Sequence, residues 1–191
     1  MITDGKLDLG LATLSEKQKD ANDYACLTEE EILLAVPADC PLSQGGHADW
    51  RQAEVTDLSR FSTLPFVRIS RFSTLYDLTE GLFTEAGFEP RVLFSTSSNL
   101  SKLRIVRLGL GCALLPATYA AKDPAVVYFC LPGHPSWQIT ICSRRGSHLG
   151  KAERYYLDLC RSYFCSLNVK AVSKDAYDGQ GKTQCPVTRC H

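Results

Sequence analysis

Two short segments of the sequence place hydroxyl and amide side chains immediately before predicted helices. Ser70, Ser73 and Thr74 precede the first helix, and Ser97, Ser98 and Asn99 precede the second. The first turn of a helix has free backbone N–H groups and a partial positive charge, so it attracts anions. Hydroxyl groups add donors for a carboxylate or sulfate. The same residue types also cap helices, and capping alone explains any single one of them equally well.

The histidines and cysteines do not follow a metal-binding pattern. His47, His134, His148 and His191 are scattered, and we interpret them as residues of surface loops. The C-terminal stretch from Cys185 to His191 contains three soft ligands, but it lacks a fourth ligand nearby and a folded frame. The sequence therefore predicts no metal site and no cofactor.

Catalytic motifs are also missing from the sequence. There is no Gly-x-Ser-x-Gly elbow and no phosphate loop, and Gly109-Leu-Gly111 stands between a helix and a strand, the wrong order for a dinucleotide fingerprint. A cysteine close in space to a histidine would make a thiol nucleophile, whereas a buried, inert thiol is the commoner case. We predict that the chain is not an enzyme.

Residues 103 to 116, which follow the second hydroxyl segment, predict a helix, a turn and a strand. Leu103 and Val106 lie on one helical face, and Gly109 suits the left-handed residue that follows a helix. An apolar run from Gly111 to Leu115 then predicts a buried strand that Pro116 ends. A helix that turns back into a core strand is half of a βαβ unit.

The other hydroxyl segment leads into a helix with apolar residues at helical spacing. Leu75, Leu78, Leu82 and Ala86 share one face of this helix. Thr74 and Asp77 have the spacing of a capping box, in which each side chain satisfies the other residue's backbone amide. We expect Ser97 or Ser98 to cap the second helix in the same region.

Strands and one more helix are predicted elsewhere. The strands cover residues 8–12, 32–36, 65–69, 92–94, 126–131 and 137–142. An amphipathic helix that packs on the first of two subdomains is also predicted. Its apolar stripe comprises Ala152, Tyr155, Tyr156, Leu159 and Tyr163. Residues 167–191 are polar and lack this period, so we expect a disordered tail.

The composition excludes several classes of protein. The 191 residues include 21 basic and 21 acidic side chains, so no bulk positive charge is available to bind a phosphate backbone. No apolar stretch approaches the roughly 20 residues that span a bilayer, and the N-terminus does not resemble a signal peptide. The nine cysteines are odd in number and several lie in apolar patterns, so we interpret them as reduced. These features favour a cytoplasmic protein without membrane contact.

Six segments, taken together and in order, resemble one known family. They are Gly5-Lys-Leu-Asp-Leu-Gly-Leu-Ala12, Glu30-Glu-Ile-Leu-Leu-Ala-Val-Pro37, Pro65-Phe-Val-Arg-Ile-Ser70, residues 78–92, residues 103–116 and residues 144–157. The arrangement is similar to the effector-binding (substrate-binding) domain of LysR-type transcriptional regulators. The resemblance covers roughly residues 1 to 166. It departs from the family at Cys40, where a histidine is usual.

The resemblance implies an α/β fold of the periplasmic-binding-protein-like type 2 class, with two subdomains joined by two crossing strands. Residues 1–64 and 132–166 would form subdomain I, which is incomplete, and residues 65–131 would form subdomain II. A small effector, most often an anionic metabolite, would bind between them and bias their orientation. The implied binding residues are Ser70, Ser73, Thr74, Ser97, Ser98 and Asn99, with Thr13 as a third element of the same site.

The resemblance also implies that the family's winged helix-turn-helix, linker helix and first β-α-β stretch are absent from this sequence. We therefore expect a truncated regulator that senses an effector, does not bind DNA directly and forms homo-oligomers, if at all, through subdomain edges. One alternative is a stand-alone solute-binding protein of the same fold, which would need a signal peptide or an N-terminal lipoprotein cysteine. The other is a non-functional regulator fragment.

Overall fold

The computed structural model describes residues 1–166, so the predicted tail at 167–191 lies outside the described residues. Within these residues the chain forms seven strands and three α-helices, with short 3₁₀ turns at 16–18, 50–52, 58–61 and 117–119. The strands are β1 (Leu9–Leu14), β2 (Asp23–Pro37), β3 (Pro65–Ile69), β4 (Arg91–Thr96), β5 (Ala113–Pro116), β6 (Val126–Phe129) and β7 (Ser136–Ser143). The helices are α1 (Leu75–Glu85), α2 (Asn99–Arg107) and α3 (Lys151–Ser166). None of the helices in residues 1–166 is long and apolar enough to cross a membrane.

The described chain divides into two compact units. The first contains residues 1–12, 19–29 and 138–166, and the second contains residues 13–18 and 30–137. Each unit has more contacts within itself than with the other unit. The division into subdomains at residues 64 and 131 stays a prediction.

The core of the second unit is built around the C-terminal half of β2. Ile32 to Val36 are completely buried. One side of this segment pairs antiparallel with β5, where Leu34 faces Leu114, and the other side pairs antiparallel with β6, where Leu34 faces Phe129. A strand with neighbours on both edges and apolar residues on both faces requires a continuous apolar run, as the sequence has here.

The second sheet of this unit consists of β3 and β4, which pair in parallel with Ile69 opposite Thr96. Both strands continue into helices, β3 into α1 and β4 into α2. Phe66 of β3 makes an edge-to-face contact with Phe83 of α1, with ring centroids 5.1 Å apart. This aromatic contact fixes α1 against the sheet.

The predicted turn between α2 and β5 is confirmed. Gly109 has a φ of 73°, the left-handed conformation that a glycine adopts without steric cost. Gly111 then passes so close to β3 that a Cβ atom would lie 2.8 Å from the carbonyl oxygen of Pro65. This approach lets the Cys112 amide donate to that same carbonyl at 2.8 Å, which ties the start of β5 to β3.

In the first unit, helix α3 differs from its prediction. The stripe that was expected to pack inward is the exposed side, and the exposed fractions of Tyr155, Tyr156, Leu159 and Tyr163 range from 43% to 72%. The half-buried residues are Glu153, Leu157, Cys160 and Phe164. Both sets have helical spacing, so periodicity locates the helix but does not select the covered face.

Candidate functional site

The predicted site residues lie in the second unit, at the carboxyl ends of two neighbouring strands. β3 and β4 run in parallel, and the Ser70 amide continues their pairing by donating to the Thr96 carbonyl at 2.9 Å. The segments 70–74 and 97–99 therefore leave the same edge of the sheet before they enter α1 and α2. We call Thr13, Ser70, Ser73, Thr74, Ser97, Ser98 and Asn99 the hydroxyl edge.

At the start of α1 the predicted capping box between Thr74 and Asp77 is wrong. Thr74 already has helical dihedral angles, φ −59° and ψ −22°, and its side chain forms no cap hydrogen bond. Ser73 takes this role, since its Oγ accepts a hydrogen bond from the Leu75 amide at 3.2 Å. A capping hydroxyl needs an extended backbone to reach over the first turn, and Thr74 lacks it.

The Thr74 hydroxyl contacts Thr13 instead, and this contact brings the end of β1 to the site. The two Oγ1 atoms are 3.3 Å apart. Gln18 strengthens the connection, because its Nε2 donates to the Thr74 carbonyl at 3.0 Å while its Oε1 accepts from the Ser15 amide at 2.9 Å. Thr13, which is distant in sequence, thus lies beside the start of α1.

At the start of α2 the expected cap is formed, and Ser98 forms it. Its backbone is extended, and its Oγ accepts a hydrogen bond from the Ser101 amide at 3.2 Å. Ser97 is exposed, and within residues 1–166 its hydroxyl has no hydrogen-bond partner. A capping oxygen still carries its own proton, so both serines have an O–H group to donate.

A buried lysine lies one turn inside α2. Lys102 is 1% exposed, and its Nζ donates to Asn99 Oδ1 at 3.3 Å and to the Leu114 carbonyl. No carboxylate among the described residues forms an ion pair with it. Burial disfavours the charged ammonium and lowers the pKa of Lys102 to about 7.

Three residues near the site were missed by sequence analysis. They are Gln18, Lys102 and Phe72, whose side chain is fully exposed between Ser70 and Ser73. For Lys102 a signal existed, because it occupies the same helical stripe as the apolar Leu103 and Val106. Phe72 is an apolar residue in a polar loop, which is also visible in the sequence. Gln18 had no such signal, since its partner is 56 positions away.

The donors at this edge suit a negatively charged group. Amides in the first turn of α1 and α2, serine and threonine O–H groups and a buried ammonium are all hydrogen-bond donors. Among the described residues, no acid or base forms a hydrogen bond with the serine and threonine hydroxyl groups of this edge. Burial also raises the pKa of the Cys112 and Cys130 thiols to about 12, so both are protonated at neutral pH.

Comparison with known proteins identifies the family. The model of the LysR substrate-binding domain matches residues 1–165. The chain belongs to this family. The expected periplasmic-binding-protein-like type 2 fold is thereby confirmed, and the family is one of regulator domains rather than of enzymes.

Two curated relatives are transcriptional regulators. A malonate utilization transcriptional regulator from Klebsiella pneumoniae is 30% identical over 118 residues, which are 61% of this chain and 36% of that protein. The uncharacterized HTH-type transcriptional regulator YwbI from Bacillus subtilis (strain 168) is 25% identical over 168 residues, which are 85% of this chain and 52% of that protein. The chain thus spans about half or less of these relatives.

Solved structures share the fold at low sequence identity. The effector-binding domain of QuiR in complex with shikimate has a TM-score of 0.65 and 18% identity, over 86% of this chain and 75% of that one. The regulatory domain of CcmR from Synechocystis PCC6803 in complex with 2-PG has a TM-score of 0.70 and 14% identity, over 85% of this chain and 76% of that one. At these identities the likeness demonstrates the fold alone.

Proposed function

We propose that this chain is an effector-sensing domain that binds a small anionic metabolite at the hydroxyl edge. The main support is that the N-termini of α1 and α2 lie at the same edge of the β3–β4 sheet. α1 and α2 both begin there because Ser70 pairs with Thr96, and the hydroxyl groups of Thr74 and Ser97 are exposed at those two starts. Ligands of α/β proteins commonly bind at the carboxyl ends of the strands.

The chemistry of the edge favours a carboxylate. Ser97 and Thr74 would donate O–H bonds to its oxygens, and the amides of the first helical turns would supply further donors. The Thr74 hydroxyl is available for this because Ser73 caps α1 in its place. Lys102 supplies a positive charge behind Asn99, and an anion nearby would favour the protonated ammonium.

The related proteins support an effector of this kind. The QuiR domain binds shikimate and the CcmR domain binds 2-PG. A regulator of malonate utilization is among the sequence relatives. We propose that binding biases the relative orientation of the two predicted subdomains and that a full-length regulator passes this bias to its DNA-binding domain.

Calorimetric titration with shikimate, 2-PG, malonate and a panel of other small carboxylic acids tests the proposal. For the acid that binds, Thr74→Ala and Ser97→Ala should each weaken affinity about tenfold, the effect of losing roughly 1.4 kcal/mol. Thr84→Ala is the matched control, because this exposed threonine lies at the other end of α1 and bonds to the Glu80 carbonyl. Its affinity should equal that of the unmodified chain.

Two outcomes would contradict the proposal. One is the absence of binding for every acid in the panel. The other is binding that stays the same in Ser73→Ala, Thr74→Ala and Ser97→Ala, which would leave these residues with structural roles only. Melting curves of each variant separate a loss of affinity from a loss of fold.

We also propose how this chain relates to DNA, to other copies of itself and to its place in the cell. The chain does not bind DNA by itself, and sequence-specific retardation in a gel-shift assay would refute this.

The chain associates with a second copy through the edge strand β4, whose Val92, Leu93 and Phe94 are 36% to 47% exposed. Sedimentation that is identical for the chain and for Leu93→Lys would argue against this edge. It acts in the cytoplasm, beside the DNA of the genes that such a regulator controls.

A further inference from the structure

Away from the hydroxyl edge, three side chains with different metal-binding chemistry meet. Glu31 lies on β2, Cys130 follows the last residue of β6, and His134 lies in the turn before β7. A carboxylate oxygen of Glu31, the Sγ of Cys130 and a ring nitrogen of His134 all lie within 4.8 Å of one another. The Nδ1 of His134 is 2.7 Å from Glu31 Oε1, although the two residues are 103 positions apart in the sequence.

Backbone hydrogen bonds hold the cysteine at this place. The Cys130 amide donates to the Glu54 carbonyl and the Thr56 amide donates to the Cys130 carbonyl, both at 3.0 Å. Cys130 itself is 7% exposed. These bonds fix the backbone of Cys130, and burial restricts the rotation of its side chain beside the other two groups.

The turn that carries His134 is equally defined. Its amide donates to the Leu131 carbonyl at 3.0 Å, and its φ is 47°. It is the only non-glycine residue among the described ones with a positive φ. This conformation points the imidazole back over β2, where its Nδ1 meets Glu31, whose side chain is only 12% exposed.

We infer that Glu31, Cys130 and His134 form a binding site for a divalent zinc-class cation. Zinc binds thiolate, imidazole and carboxylate together, at about 2.3 Å for sulfur and 2.0 to 2.2 Å for nitrogen and oxygen. Ligand atoms of such a tetrahedron are roughly 3.3 to 3.7 Å apart by these bond lengths. The three ligand atoms lie within 4.8 Å of one another, so rotation of the side chains brings them to this spacing without a change of the backbone. His134 is 48% exposed, so water completes the tetrahedron from that side.

Binding changes the proton balance in a defined way. The Cys130 thiol loses its proton to the buffer as the sulfur–metal bond forms, and no oxidant or reductant is needed. The Glu31 carboxylate and the neutral imidazole bind through lone pairs. The carboxylate and the thiolate together balance the two positive charges of the cation, and the contact between Glu31 and His134 opens to admit it.

The test titrates the full chain, reduced and free of chelators, first with Co²⁺ and then with Zn²⁺ in competition. We expect one equivalent of Co²⁺ to produce the near-ultraviolet charge-transfer absorption of a thiolate–cobalt bond, and Zn²⁺ to abolish it. Calorimetry of Zn²⁺ binding in two buffers of different ionisation enthalpy should detect release of the thiol proton. Both affinities should fall at least tenfold in Cys130→Ala and in His134→Gly.

Glycine accepts the positive φ of this turn, so His134→Gly should keep the fold. This variant therefore still tests the site if the buried substitution Cys130→Ala prevents folding. Cys165→Ala and His148→Ala are matched controls, since both residues are exposed and distant in sequence, and they should bind as the unmodified chain does. A third control removes Cys185, Cys190 and His191 together and should also leave binding intact.

Several results would overturn the inference. They are the absence of the charge-transfer band in the unmodified chain, its persistence in Cys130→Ala, an unchanged Co²⁺ affinity in His134→Gly, and loss of the band when the three C-terminal ligands are removed. The last result would mean that the ligands of the metal are Cys185, Cys190 and His191. None of these results changes the effector titrations, because the metal site and the hydroxyl edge share no residue.

Discussion

Helices α1 and α2 follow neighbouring parallel strands, yet they differ at the start, in the middle and at the end. α1 begins at a threonine that does not cap it, whereas α2 begins at a serine that does. The buried polar residue of α1 is Thr79, which satisfies its hydroxyl on the helix's own carbonyls, whereas α2 buries Lys102. The same position in the fold therefore supports different chemistry, and α2 carries the charge.

The largest expected effect concerns the buried charge. Lys102→Met should stabilise the chain at pH 6 by on the order of a few kcal/mol, partly offset by two lost hydrogen bonds. The pKa of Lys102 is about 7 in the folded state and about 10.4 when unfolded. Its penalty is therefore complete below pH 7 and disappears as the pH rises toward 10. Urea unfolding at pH 6 and pH 9 measures the difference.

Lys122→Met, which changes an exposed lysine, is the control for this experiment. It should have the pH dependence of the unmodified chain. If Lys102→Met has that dependence as well, then Lys102 is not a buried cation and α2 does not differ from α1 in charge.

The ends of the two helices provide the second comparison. Gly111→Ala should destabilise by about 1 to 3 kcal/mol, because the new Cβ would press on the Pro65 carbonyl 2.8 Å away. Gly87→Ala, after α1, has no atom within 4 Å and should cost only about 1 kcal/mol for its positive φ. Thermal unfolding of the two variants measures both values. Gly111 has no positive φ, so a loss in Gly111→Ala no larger than that in Gly87→Ala would mean that the close approach to the Pro65 carbonyl contributes little.

The smallest effect concerns the helix starts. Ser98→Ala should lower the free energy of unfolding by about 1 kcal/mol, the usual value of a cap. Thr74→Ala should change it by less than about 0.5 kcal/mol, since Thr74 makes only an exposed contact with Thr13. Chemical denaturation is the measurement. A larger loss in Thr74→Ala would assign the cap of α1 to Thr74 after all.

Much of this architecture follows from short-range patterns. The run from Ile32 to Val36 predicts a buried strand because no polar side chain interrupts it, and Gly109 predicts a helix end because its conformation suits few other residues. The LysR-type resemblance, carried by six segments in order, anticipates both the fold and the family. It also groups Thr13 with the α1 and α2 starts, and as an assignment of binding residues that set stays a prediction.

Other features depend on which surfaces meet. Two stripes on α3 have the same helical period, and only packing leaves Tyr155 exposed while Leu157 is half-buried. Both Ser73 and Thr74 have the composition of a cap, and the backbone angle of Thr74 decides against it. Patterns determine what each element is, because dihedral preference and burial act over a few residues. Glu31 meets His134 across 103 positions only because the chain brings their strand and turn together in three dimensions.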